Sequence, residues 1–387
     1  MKPLAVVPRE MRRSGIREVM ELAASVPGCI HLEVGEPDFD TPVPVRDAAV
    51  RAMAEGYTRY TPNAGLPSIR SAIAETRSAR HATTVSPDEV VVTPGAVCAL
   101  ATAILALVNP DDEVLLPDPG WPNYTSMVQL ARGRVVYYPL AQQQGYVADP
   151  DAVARLITGQ TKAIVINTPA NPTGAVFPPE VVRAIVRLAK DRDLYVVSDE
   201  VYEDFVFEGT HETAAMSDAD GRVIVVGGFS KSYAMTGWRL GYAVAAAPIA
   251  SLIAKLQEPL VSCASSIAQR AAETALRLPI ADVQAMCDEY RRRRDLVQGI
   301  LEPAGLLAAV PHGAFYALVD LRSVGLDSRD MARRLLLEAG VACAPGDTFG
   351  EQGAGLVRIS LATSTADLEE GCIRIRGFVS HAIPSTS

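Results

Sequence analysis

From residue 90 to residue 245 the chain alternates short apolar runs with longer amphipathic stretches. Val90-Val91-Val92-Thr93 is β-branched throughout and predicts a buried strand. Pro94-Gly95 turns the chain, and Ala96 to Val108 predicts a helix. The same reading predicts strands at Glu113 to Leu116, Ala163 to Asn167, Leu194 to Ser198, Val223 to Val226 and Gly241 to Ala245. Pro179 to Asp191, with its proline where a first helical turn tolerates one, predicts an intervening helix. Near-continuous apolar strands alternating with helices predict the α/β class, a mostly parallel sheet covered on both faces.

The pattern changes after residue 280. Ala281 to about Leu301 predicts a long polar helix, and its arginine run 291–294, flanked by Glu289 and Asp295, reads as a solvated face. Beyond it, 313–319 and 356–361 predict strands of a second, smaller α+β domain. The N-terminal segment is expected to pack with that domain. The expected division is therefore 1–45, 46–285 and 286–387. A chain of 387 residues, 49% of them apolar, is long enough for two cores. The tail 383–387 is expected to fray.

Charge narrows the partners. With 45 acidic and 36 basic residues the net charge is −9, which argues against nucleic acid or an anionic membrane as a general partner. Six scattered cysteines without a CxxC pair suit a reducing compartment rather than a disulfide framework. The N-terminus has no long apolar core of a signal peptide, and the greasiest stretch, 99–108, is too short to span a bilayer. A cytoplasmic location is expected. The five histidines show no metal-ligand spacing.

Candidate chemistry gathers at the ends of the predicted strands. Lys231 follows one within Gly227-Gly228-Phe229-Ser230-Lys231, and Arg239 lies just beyond it. Asp199 and Tyr202 follow a second, Asn171 a third, Trp121 a fourth and Gly95 a fifth. In an open α/β sheet such ends converge on one crevice. Together they offer an amine for an aldehyde, an acid for a pyridinium, donors for a phenolate and a cation for a phosphate. That set describes pyridoxal 5′-phosphate binding.

Within that reading Lys231 condenses with the aldehyde and later acts as general base. Asp199 would hold a proton on the pyridine nitrogen, although Ser198-Asp199-Glu200 would equally suit a helix N-cap. Tyr202 and Asn171 would donate to the phenolate oxygen. Free N–H groups at the helix start (Gly95, Ala96, Val97), with Arg239 and Ser230, would seat the phosphate. Trp121 would stack on the ring, or else fill a core. Arg358 would fork a substrate carboxylate, with the Gly35 backbone beside it. The absence of GxxxxGK[ST] and GxGxxG disfavours ATP and dinucleotides.

The motifs resemble those of class I aminotransferases, the aspartate aminotransferase superfamily of pyridoxal-phosphate fold type I, and within it the bacterial and archaeal aspartate and aromatic branch. The likeness runs from 14–18 through 32–39 and 60–65, the Asn171 and Asp199 motifs and the Lys231 to Arg239 motif, to 358–360. It implies a seven-stranded large-domain sheet and a homodimer with shared active sites, in which Tyr60 reaches the cofactor phosphate of the neighbouring subunit. Two departures stand out. Gly228 occupies a position where many relatives carry serine. Val97 stands where some dicarboxylate-specific members carry lysine, which turns the expected donor toward a neutral, aliphatic or aromatic amino acid.

The expected reaction is a ping-pong amino transfer between such an L-amino acid and a 2-oxo acid, 2-oxoglutarate or pyruvate. A lyase or oxidase on the same scaffold is the alternative. A non-catalytic regulator is disfavoured, because the likeness begins within the first twenty residues and the chain is acidic.

Overall fold

In the computed structural model, residues 2–11 and 13–382 are described; the tail 383–387 lies outside them. Strands are numbered in chain order. β1 is Ile30–His31, β2 Val90–Thr93, β3 Glu113–Asp118, β4 Arg134–Pro139, β5 Thr161–Asn167 and β6 Tyr195–Asp199. β7 is Val223–Gly228, β8 Gly241–Val244, β9 Tyr316–Asp320, β10 Val341–Ala342, β11 Ala344–Pro345 and β12 Leu356–Ser360.

Seven strands form one sheet in the order β2-β8-β7-β6-β5-β3-β4. Only β8 runs antiparallel to its neighbours. Alternate side chains of each inner strand feed two different cores, as the two-residue period of a pleated strand requires. Val90, Val92, Ile164, Ile166, Val196 and Val225 enter one. Val91, Ala163, Val165, Val197, Ile224 and Val226 enter the other. Each such side chain, fully buried, contributes about 1.5–3 kcal/mol. Helix Ala96–Leu107 packs on the second face and helix Pro179–Asp191 on the first.

The predicted strands are present, most of them one or two residues longer or shorter. β4 was absent from the residue-by-residue reading. It is the sheet edge, where only Tyr138 is buried, so it lacks a continuous apolar signature.

A third core joins the beginning and end of the chain. Val19, Ala23, Ile30 and Leu32 pack with Val341, Val357, Ile359 and Leu368. β1 pairs in parallel with β10, and β12 pairs antiparallel with both β9 and β11. The helix here is Ile280–Leu301. Its arginine run is solvated at Arg292 and partly at Arg291, as expected, but departs from that face at its last two members. Arg293 is buried with both Nη atoms 2.8 Å from the Asp38 carboxylate, and Arg294 is buried with Nη1 donating to Pro311 O at 2.7 Å. Acids distant in sequence supplied the partners that permit burial. Among the described residues no helix is long and apolar enough to cross a membrane.

Candidate active site

The carboxyl ends of β3, β5, β6 and β7 and the start of helix Ala96–Leu107 open onto a cleft of about 560 Å³. Eleven of the thirteen sequence-predicted residues line it: Gly35, Ala96, Val97, Trp121, Asn171, Asp199, Tyr202, Ser230, Lys231, Arg239 and Arg358. Gly95 lies directly beneath. Its φ of 79° and ψ of 160° belong to a region essentially reserved for glycine, and a Cβ there would sit 2.7 Å from Arg239 Nη2. The Arg239 guanidinium is thus pressed against the backbone at the helix start. Tyr60 is the residue the fold does not bring in: it is 89% exposed and outside the cleft of its own chain.

Lys231 sits three residues past β7, and its Nζ donates to the carbonyl of Gly35 at 2.7 Å. Burial pushes the amine down to about 8; Glu36 opposes that shift, and Arg358 and Arg239 add to it. Gly35 is hemmed in, because a Cβ there would lie 1.8 Å from the Tyr316 hydroxyl. Gly228 has room, with nothing nearer than 3.6 Å to an added Cβ.

Asp199 ends β6. Its Oδ2 accepts from the Tyr124 hydroxyl at 2.6 Å. Burial raises the carboxyl to about 6, against the pull of Tyr124 and the Val201 N–H. It does not cap a helix. Asn171 N donates to Asn167 Oδ1 at 2.8 Å, which fixes the loop after β5.

Arg358 is the most unusual group. It is 2% exposed on a strand buried throughout. Nη1 donates to Asn171 Oδ1 at 3.0 Å, Nη2 to Glu33 O at 2.5 Å, and Nε has no partner. No carboxylate among the described residues forms an ion pair with it. Burial pulls it below its ordinary value. A buried guanidinium without a counter-charge is costly unless an anion joins it.

Residue-by-residue reading missed several cleft residues. Tyr124 lies three residues past Trp121 and Tyr316 within the predicted 313–319 strand, and neither carried a role from the sequence. Tyr316 receives the Arg358 guanidinium over its ring and exchanges a hydrogen bond with Tyr202 at 3.0 Å. Ile16, Arg17 and Met20, from helix Gly15–Ala23, also line the cleft; the first two lie in the 14–18 stretch that carries the family likeness but had no role assigned, and Met20 gave no sequence signal.

Behind Asp199 lies a buried ion cluster. Arg77 bonds Glu203 at 2.7 Å and Glu200 at 2.9 Å, with His81 and Arg80 also on Glu203. His211 brings a third potential metal ligand to Glu200 and Glu203, but Arg77 already neutralises these carboxylates.

Residues 27–375 match the family model described as aminotransferase class I and II. The chain is 42% identical to the aspartate/prephenate aminotransferase of Thermus thermophilus, covering 97% of this chain and 95% of that one. The structure of aspartate aminotransferase from Thermus thermophilus with maleate superposes with a TM-score of 0.93 at 40% identity, over 97% of this chain and all of that one. The aromatic aminotransferase from Pyrococcus horikoshii superposes with a TM-score of 0.89 at 38% identity, over 95% and 99%. These relatives are named as aminotransferases, which leaves the lyase, oxidase and regulator alternatives without support. The chain therefore belongs to the class I and II aminotransferases, and it is a pyridoxal-phosphate-dependent enzyme that moves amino groups between amino and 2-oxo acids.

Proposed function

We propose that Lys231 is the covalent anchor and proton carrier, and that the preferred donor is an L-amino acid with a neutral, aliphatic or aromatic side chain. The single observation carrying this is one cleft that holds a buried, easily deprotonated amine beside a buried guanidinium without an acid.

The donor set fits the cofactor. Lys231 would hold its aldehyde, Asp199 its ring nitrogen, Tyr202 and Asn171 its phenolate oxygen. Ser230, Arg239 and the N–H groups at Ala96 and Val97 would hold its phosphate, with Trp121 against the ring. Pyridoxal phosphate supplies an aldehyde that condenses with amines and a ring that withdraws electrons from the substrate Cα. Arg358, fixed by Asn171 and Glu33, orients the substrate carboxylate. Lys231 Nζ, free of its anchor, removes the Cα proton; its depressed basicity keeps the neutral amine accessible near neutral pH. Tyr124 keeps Asp199 oriented and lowers its proton affinity.

The side-chain preference rests on the apolar part of the cleft lining, to which Ile16, Met20, Val97 and Leu100 belong. A dicarboxylic donor is the second reading. Arg17 lines the same cleft and forms no ion pair among the described residues, its side chain donating to Met20 Sδ at 4.0 Å, so it has charge to offer a second carboxylate. A homodimer is part of the proposal, since Tyr60 projects fully exposed beyond its own cleft. So are the division at 1–45, 46–285 and 286–387, whose last boundary falls within helix Ile280–Leu301, and a cytoplasmic location, consistent with six free cysteines.

Borohydride reduction after cofactor loading, followed by peptide mapping, is expected to fix the label on Lys231. Label on another side chain sinks the anchor assignment. A donor panel with 2-oxoglutarate and pyruvate is expected to rank leucine or phenylalanine above aspartate. Aspartate preferred over both would establish the second reading instead.

A further inference from the structure

β1 and its flanks carry a row of reactive groups outside the cleft. Residues 29, 31 and 33 alternate with Ile30 and Leu32, which enter the third core, and Cys29 also packs against the edge of that core. Cys29 Sγ is 3.4 Å from His31 Nε2. His31 Nδ1 is 2.8 Å from Glu33 Oε1. The Glu33 carboxylate is fully buried, its Oε2 has no partner, and the thiols of Cys343 and Cys372 lie in the same interior.

In the tautomer that donates from Nδ1 to the Glu33 carboxylate, the Nε2 lone pair faces the thiol. The order thiol, imidazole, carboxylate is that of a nucleophile, its base and the group that orients the base. Two features oppose a resident thiolate. Burial raises the Cys29 thiol and the negative charge of Glu33 raises it further. Ala23 O, at 3.6 Å, competes for the S–H. The group therefore rests as a thiol and needs its base during attack.

The same segment reaches the cleft. The carbonyl of Glu33 accepts from Arg358 Nη2. Displacing the Glu33 side chain would pull on the backbone that holds the guanidinium.

We propose that Cys29, His31 and Glu33 form a modification site at which Cys29 exchanges with small-molecule disulfides, and that its occupation weakens substrate binding through Glu33 and Arg358. As Cys29 Sγ attacks one sulfur of the reagent, His31 Nε2 takes the thiol proton. The reagent S–S bond breaks, a mixed disulfide forms, and the departing thiolate receives the proton from His31.

The second part rests on the proposed role of Arg358; the first does not, and its readout is mass rather than activity. The cofactor-loaded enzyme is treated with oxidised glutathione near neutral pH and mapped over time. Cys29 is expected to react before Cys98 and Cys263, the other two half-buried cysteines. His31→Asn is expected to slow Cys29 about tenfold, with equal rates for both proteins in denaturant. Glutathione on Cys29 is expected to raise KM for the amino donor about threefold or more, with kcat less affected, and Cys29→Ser is expected to be indifferent to the reagent. If Cys29 in the unaltered protein reacts no faster than Cys98 and Cys263, the site is overturned without reference to any variant. If Cys29 is modified and KM does not move, the link to Arg358 is overturned while the site stands.

Discussion

The guanidinium of Arg358 lies over the ring of Tyr316, 4.3 Å from its centroid, and donates to Asn171 Oδ1 at 3.0 Å. Stacking and hydrogen bonding fix the fork in one orientation before any anion arrives, so little ordering remains when a carboxylate binds. Lysine keeps the charge and loses both the fork and the stack. Arg358→Lys is expected to lower kcat/KM by about a hundredfold, mostly through KM, a loss on the order of 3 kcal/mol. Steady-state kinetics with the preferred donor measures it, and an unchanged KM would place the substrate carboxylate elsewhere.

The amine of Lys231 is pushed down to about 8 from an ordinary 10.5, with burial as the largest cause. The rate at which the cofactor-free chain captures pyridoxal phosphate should therefore rise with pH to a midpoint near 8. Glu36 holds this value up and Arg358 holds it down. Glu36→Gln should move the midpoint lower and Arg358→Met should move it higher. A midpoint near 10 in the unaltered protein would mean the lysine is solvated.

Tyr124 donates to Asp199 at 2.6 Å and lowers a carboxyl that burial raises to about 6. Tyr124→Phe removes the donor and leaves a buried carboxylate oxygen short of a partner, at a cost of about 1–3 kcal/mol. Asp199 then titrates higher. The acid limb of the kcat/KM profile for the loaded enzyme is expected to move toward neutral pH, with the alkaline limb unmoved. Coincident profiles would separate Tyr124 from the function of Asp199.

Arg77 is buried between Glu200 and Glu203. Burial alone would raise Glu200, but His211, 3.7 Å away, and Arg77 together hold it at about 2, below an ordinary 4.5. Glu203 is held well below the usual carboxylate range, with burial again overcome by Arg77 and His81. Depressed carboxyls stabilise the fold fully above their unfolded value, and that contribution disappears as pH falls from about 4.5 toward 2. Arg77→Met removes the cation shared by the two buried carboxylates, leaving Arg80 and His81 on Glu203 and no arginine on Glu200, and is expected to cost about 3–5 kcal/mol at neutral pH. Thermal unfolding across pH should show the gap between variant and parent narrowing in acid. A constant gap would assign the loss to packing alone.

Regular elements buried on both faces were the most readable. Val90–Thr93 and Pro179–Asp191 have the bounds their residue patterns predict. Edge strand β4 escaped because half-exposed residues carry no continuous apolar signal. The residues proposed to hold the cofactor were readable because most of them follow a strand in a motif of their own. What supports them was not. Tyr124 meets Asp199 across 75 positions, and the Arg293–Asp38 pair spans 255. No local pattern records such partners, and without Asp38 an arginine on a polar helix reads as solvated. Arg17 and Ile16 stood in the 14–18 motif without a role for the same reason: the N-terminal helix reaches the cleft only through tertiary packing.

Glu33 and Gly35 hold the two cations from one short stretch of backbone, the first through Arg358 and the second through Lys231. The amine and the guanidinium, 127 positions apart in the chain, are therefore tethered to a common rail. A shift of that rail would displace the acceptors of both tethers together.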